Sequence, residues 1–214
     1  MDIFDVLRAA ADPEKAASMS AYMRGQFAFL GIPTPERKRL SREFLKAADR
    51  SAVDWGFISA CWEQPEREFQ YLGIDYLTRL KALLSPADIP GIQRLVTEKS
   101  WWDTVDALDV VVGGIALRYP EVNDTLLAWS VDEDMWLRRI AIDHQLTRRE
   151  KTDTKLLERI LVNNLGQTEF FINKAVGWSL RDFSKTDPDW VRGFIARHRD
   201  TMAPLSIKEA SKYL

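Results

Sequence analysis

Lys99-Ser100-Trp101-Trp102-Asp103-Thr104-Val105-Asp106 opens a helical pattern. Ser100 and Asp103 stand three apart, the spacing at which a hydroxyl caps a helix N-terminus and an acid reaches back to complete the cap. Trp101, Val105, Leu108 and Val112 then recur with the helical period and form the expected buried stripe. Trp102 and Asp106 are four apart and stack on a different face. An indole beside a carboxylate off the core stripe reads either as a surface pair or as part of a site.

The surroundings of this stretch are helical nearly throughout. No segment alternates with period 2 between hairpin turns, so the sequence predicts no sheet. Pro13, Gly31, Pro33, Pro35, Pro65, Pro86, Pro90, Pro120, Gly166, Pro188 and Pro204 punctuate about a dozen helical segments. Among these are Glu14 to Arg24, Pro35 to Ala48, Arg67 to Leu84, Leu156 to Asn164 and Phe170 to Lys185.

Three of the segments resemble one another. They begin at Glu68-Phe69-Gln70-Tyr71, at Met135-Trp136-Leu137-Arg138-Arg139 and at Glu169-Phe170-Phe171-Ile172-Asn173-Lys174. The opening stretch fits between the first two: Trp102 to Trp136 is 34 residues and Trp136 to Phe171 is 35. Such a period with two helices per unit marks a helical repeat array, and without a TPR signature a HEAT-like solenoid is the expected fold. The chain is expected to form one domain over residues 1–214. The second helix of each pair would line a common groove.

Composition narrows the function. Of 214 residues, 46% are hydrophobic and 29% charged, as in an ordinary soluble protein. One Cys, Cys61, excludes an intrachain disulfide, and one Cys with two His cannot build a Cys/His metal cluster. His144 and His198 read as structural or surface residues. The first residues lack the basic and apolar regions of a signal peptide, and no apolar run approaches the ~20 residues of a membrane span, so a cytoplasmic protein is expected. The net charge of −2 argues against a wholly basic nucleic-acid binder but leaves room for a local basic face.

The expected groove collects aromatic rings and cations. One unit supplies Trp102 and Asp106, the next Trp136, Arg138 and Arg139, and the third Lys174, Trp178 and Arg181 over a core stripe of Ile172, Val176, Leu180 and Phe183. Gly177, before Trp178, leaves the helix surface low enough for something to come close. Cations interleaved with aromatics suit a nucleic-acid backbone. The bland readings are Trp136 and Trp178 as core, Arg138-Arg139 as a solvated pair with Asp132, Glu133 or Asp134, and Glu36-Arg37-Lys38-Arg39 as a solvated helix face. A lone carboxylate among indoles suits cleavage of the N-glycosidic bond of an alkylated purine. That base already carries the charge that lets it leave, so the site needs negative charge near C1′, a positioned water and π-faces.

Together these residues resemble the AlkD-type alkylpurine DNA glycosylases of bacteria, the HEAT-like-repeat DNA alkylation repair family. The likeness runs over almost the whole length. It includes Ala21-Tyr22-Met23-Arg24, Phe29-Leu30-Gly31-Ile32-Pro33-Thr34-Pro35-Glu36-Arg37, Pro65-Glu66-Arg67-Glu68-Phe69-Gln70, the opening octet, Trp136-Leu137-Arg138-Arg139, Glu169 to Trp178, and Pro204-Leu205-Ser206-Ile207-Lys208-Glu209-Ala210. The resemblance implies an all-α, curved right-handed solenoid of HEAT-like repeats holding duplex DNA in its concave face. It implies Asp106, Trp102 and Trp178 at the deoxyribose of the lesion, Arg139 on the backbone beside them, and Tyr22 near the groove. Arg138, Lys174 and Arg181 join the expected DNA contacts. It further implies hydrolysis of N3- and N7-alkylated purines to leave an abasic site. A monofunctional hydrolysis needs no cofactor or metal, no membrane or obligate protein partner is expected, and a groove open to duplex DNA points to a monomer. The damaged base would stay stacked, where most glycosylases extrude it. Asp109, one turn past Asp106, would share its function or face solvent. The competing expectations are a HEAT-repeat protein that binds damaged or branched DNA without catalysis, and a protein-interaction scaffold.

Overall fold

Asp side chains start many of the helices. In the computed structural model, which describes residues 2–214, Asp134 accepts from the Trp136 amide, Asp153 from those of Lys155 and Leu156, and Asp187 from that of Trp190. Each satisfies donors that a helix N-terminus leaves unpaired. Pro13, Pro188 and Pro204 each stand in a first turn, where a missing N–H costs nothing. Among the described residues there are thirteen α-helices and no strand, in agreement with the all-α expectation. No described helix is long and apolar enough to cross a membrane.

The chain groups into two compact units, Met1–Leu84 and Ser85–Leu214. The first holds α1 (Ile3–Ala9), α2 (Pro13–Tyr22), α3 (Thr34–Ala47), α4 (Trp55–Glu63) and α5 (Arg67–Arg79). Helix α5 packs on α3 and α4. Leu7, Ile58, Cys61, Phe69, Leu72 and Leu77 are fully buried there. Glu68 is buried too, and its carboxylate accepts from the backbone amides of Leu30, Gly31 and Ile32. It thereby supplies the hydrogen bonds a buried turn would otherwise lack. The pattern predicts α5 running on to Leu84, but the helix closes at Leu80. The Glu36–Arg39 run is only partly a solvated face. Arg39 pairs with Glu36 at the surface, whereas Arg37 is buried and ion-paired with Asp75.

The second unit holds α6 (Ile89–Thr97), α7 (Trp102–Arg118), α8 (Val122–Trp129), α9 (Met135–Asp143), α10 (Thr154–Val162), α11 (Phe170–Phe183), α12 (Pro188–His198) and α13 (Pro204–Ala210). Alternate helices form one row: α7 packs on α9, α9 on α11 and α11 on α13. Helices α6, α8, α10 and α12 pack behind that row, with α8 on α9 and α10, and α12 on α11. This pairing is consistent with an α-solenoid. Val105, Leu108 and Val112 of α7 are fully buried, as are Ile172, Val176 and Leu180 of α11, with Phe183 closing its stripe. These are the stripes expected from the 3.6-residue period.

Two helical glycines set how closely the row packs. A β-carbon on Gly113 would lie 2.2 Å from the His144 carbonyl oxygen, and one on Gly177 would lie 2.6 Å from Cβ of Glu209. Gly177 therefore does admit a close neighbour, and that neighbour is α13.

The start of α7 departs from expectation. Trp101 takes the N-cap position without a side-chain cap, and Ser100 donates back to the Val96 carbonyl at 2.7 Å. Ser100 is thus tied to the end of α6 and is not the cap.

Candidate nucleic-acid interface

The repeat register places Trp101, not Trp102, opposite Trp136. The ring centroids of Trp101 and Trp136 are 5.8 Å apart, those of Trp136 and Phe171 5.1 Å, and those of Trp101 and Phe171 5.3 Å. One aromatic from the start of each of three successive repeats thus joins a single cluster, and Trp136 is a core residue. Trp102 is the first residue of α7 and is half-buried, one turn before Asp106.

Asp106 is gripped from α9. Arg139 donates from Nε to Oδ1 at 2.7 Å and from Nη2 to Oδ2 at 2.9 Å, a two-pronged pair that fixes both carboxylate oxygens. The third donor, Nη1, reaches the Phe171 carbonyl at 2.6 Å. The Arg139 side chain is 2% exposed, and that of Asp106 is 25% exposed. Arg139 carries the carboxylate from behind and leaves its outer edge open. The phosphate contact expected of Arg139 does not fit this position, because its guanidinium is buried and committed to Asp106 and to α11. Burial works against the Arg139 charge, but the Asp106 hydrogen bonds and the charges of Asp143, Asp106 and Asp109 outweigh it and raise its pKa.

Trp178 completes the set. Its ring lies 5.4 Å from the Arg139 guanidinium carbon, 5.6 Å from Nζ of Lys174 and 5.7 Å from the Arg181 guanidinium carbon. The indole is half-buried, between the core and groove alternatives. Its surrounding cations are held by acids: Arg139 by Asp106, and Lys174 and Arg181 by the two oxygens of Glu209 at 2.6 and 2.7 Å. Lys212 also donates to Glu209. These partners, Lys174 first and Lys212 next, pull the Glu209 carboxyl down to about 2.

The remaining expected residues lie as follows. Arg138 is half-buried, donates to the Asp132 carbonyl at 3.2 Å, and lines an open pocket with Asn163, Asn164 and Thr168. Tyr22 belongs to the first unit, ends α2, and is 73% exposed. Asp109 does not face solvent: it is buried at 4% exposure. His144 is buried as well, and burial, with the nearby Arg148 charge, lowers its pKa to about 3 and keeps it neutral.

Two residues the sequence did not single out stand behind the site. Asp143, at the end of α9, is 1% exposed and lies 3.9 Å from Arg139 Nε. Its spacing from Arg139, four residues on one helix, was a usable signal. Glu209 lies 35 residues from Lys174 and has no comparable local cue. Asp106, Asp109 and Asp143 each bring an oxygen within 4.8 Å of the others. Arg139 is the cation of this group, with both Asp106 oxygens bonded to it, so we do not assign the three carboxylates to a metal.

The model of the DNA alkylation repair enzyme family matches residues 3–214. The chain belongs to that family. A solved structure described as a predicted DNA alkylation repair enzyme from Enterococcus faecalis is similar at 38% identity and a TM-score of 0.88, covering 95% of this chain and 96% of that one. No curated protein matches the chain. Membership of the DNA alkylation repair enzyme family places the chain in the repair of alkylated DNA and makes DNA its substrate. Seven of the expected site residues, Trp102, Asp106, Arg138, Arg139, Lys174, Trp178 and Arg181, lie in the second unit. Three of them, Arg139, Lys174 and Arg181, meet around the indole of a fourth, Trp178.

Proposed function

We propose that the chain is a monofunctional DNA glycosylase that hydrolyses N3- and N7-alkylated purines in duplex DNA and leaves an abasic site. The observation that carries this reading is the Asp106 carboxylate. It is held rigidly by a buried arginine, is open on its outer edge, and is linked through that arginine to the Trp178 indole.

The bond to be broken joins C1′ of the deoxyribose to the purine nitrogen. Its electron pair leaves with the base and cancels the positive charge that alkylation placed on the ring. Positive charge builds on the sugar meanwhile, and a fixed carboxylate at its edge stabilises it. Water then bonds to C1′, and Asp106 is placed to orient it and accept its proton. The bidentate grip matters because a carboxylate already held in place loses nothing in reorganisation when the charge develops. Trp102, one turn before Asp106, and Trp178 offer π-faces for a cationic sugar. Arg138, Lys174 and Arg181 are the cations proposed for the DNA backbone, with Tyr22 as a contact from the first unit. Arg139 serves as the holder of Asp106.

The test is incubation of the purified protein with a duplex carrying one 7-methylguanine. The reading expects free 7-methylguanine and an alkali-labile abasic site in equal amounts. Tight binding of that duplex with no base released would support instead a DNA-binding protein without catalysis.

A further inference from the structure

Three carboxylates and one guanidinium form a single cluster in the second unit. Asp106 and Asp109 come from α7, and Arg139 and Asp143 from α9. Two of the acids, Asp109 and Asp143, are almost wholly buried. Neither oxygen of Asp143 has a hydrogen-bond partner, and its carboxylate faces the other two and the flank of Arg139. An ionised carboxylate left without partners in such a place is costly, and one arginine cannot neutralise three anions.

We propose that Asp143 is a positioning residue for the reaction at Asp106, sharing Arg139 with it and thereby setting how much of the Asp106 charge reaches its exposed edge. The proposal rests on the reading of Asp106 as the catalytic carboxylate. With Asp143 protonated, Arg139 balances Asp106, and the pair is close to neutral. When Asp143 gives its proton to solvent, Arg139 is drawn between two anions. The excess negative charge then lies at the outermost acid, which is Asp106, and a developing sugar cation is stabilised further. Burial, with the charges of Asp143 and Asp106, favours the protonated form of Asp109 as well.

From α9 Arg139 holds the Asp143 pKa down, and from α7 Asp106 pushes it up. From α11, Lys174 and Arg181 are bound to Glu209, the Phe171 carbonyl accepts from Arg139, and the Trp178 ring lies against its guanidinium. Burial dominates and places the Asp143 carboxyl at about 7. Burial also raises Asp109 well above the ordinary carboxylate range, reinforced by the charges of Asp143 and Asp106.

The test combines single-turnover excision of 7-methylguanine with a direct titration. Excision by the wild type is expected to rise roughly tenfold, the equivalent of about one pKa unit of interaction, as pH passes through about 7. Asp143→Asn should show a flat profile at the lower level, with DNA affinity unchanged. Asp109→Asn should keep the rise. The carboxyl-carbon NMR signal of Asp143 in the wild type should titrate over the same range, which tests the idea without relying on a variant that folds. A rise retained in Asp143→Asn, or a carboxyl signal constant from about pH 5 to 9, would overturn the proposal while leaving the glycosylase reading intact. Absence of base release at every pH would overturn that reading itself, and the role of Asp143 with it.

Discussion

Arg139 holds Asp106 by two hydrogen bonds of 2.7 and 2.9 Å while remaining 2% exposed itself. A buried cation carries a half-buried anion outward. That relation separates the roles of the two residues, and it changes what each substitution should do.

Removing Arg139 should therefore act on stability and catalysis more than on the phosphate backbone. Arg139→Ala leaves Asp106 without its support and Asp143 without a neighbouring cation. Breaking a buried pair from one side costs about 3 kcal/mol or more. We expect a clearly lowered unfolding midpoint in urea, weak excision, and a slope of log affinity against log salt that stays at the wild-type value. A slope smaller by about one phosphate contact would return Arg139 to the DNA surface.

Glu209 controls the two cations beside Trp178. Replacing it by Gln removes the anion that occupies Lys174 and Arg181. Duplex affinity should rise and its salt slope steepen, because the two cations, shared with Glu209 in the wild type, then meet phosphates without a competing anion. Binding isotherms at several salt concentrations check this. The same residue makes an acid-stability prediction. Its folded pKa lies near 2, below the unfolded value of about 4.3. Its contribution is therefore present above the unfolded pKa and fades as pH falls through about 2. Glu209→Gln should flatten the stability profile in that acid window.

Asp143 should act on stability in the opposite sense. Burial raises its folded pKa to about 7, so the folded protein binds a proton that the unfolded chain has already lost. Its contribution is complete below about pH 4 and is lost as pH rises through about 7. The wild type should lose stability across that window more steeply than Asp143→Asn, as read from urea midpoints between those values.

A methyl group at Gly113 has nowhere to go, since the obstacle is the His144 backbone carbonyl 2.2 Å away. Gly113→Ala should destabilise by at least about 1–3 kcal/mol and lower the Tm by several degrees. Gly114→Ala is the control, because a β-carbon there meets nothing within 4 Å.

What could be read from the chain alone follows the reach of each signal. The stripe Ile172, Val176, Leu180 and Phe183 was legible because one period along one helix decides it. The spacing of the repeats was legible too, yet off by one at its first aromatic. Two adjacent tryptophans offer the same chemistry, and only packing shows that Trp101, not Trp102, joins Trp136 and Phe171. Asp106, Arg139 and Trp178 were named as site residues by their motifs. Their order was not legible: that Arg139 faces inward and binds Asp106 depends on how α7 and α9 meet. Glu209 escaped notice because it reaches Lys174 and Arg181 from the last α-helix, a pairing no local pattern encodes.

Release of 7-methylguanine from duplex DNA by the wild type and by Asp106→Asn decides whether Asp106 is the catalytic carboxylate. Asn keeps the shape of the side chain and its one oxygen can still accept from Arg139, but its amide faces the second Arg139 donor, so the protein should fold with a lowered unfolding midpoint and keep its DNA affinity. The negative charge is gone, and excision should fall by about 10²-fold or more, the scale of losing one preorganised electrostatic contact. Excision at the wild-type rate by Asp106→Asn would contradict the central claim.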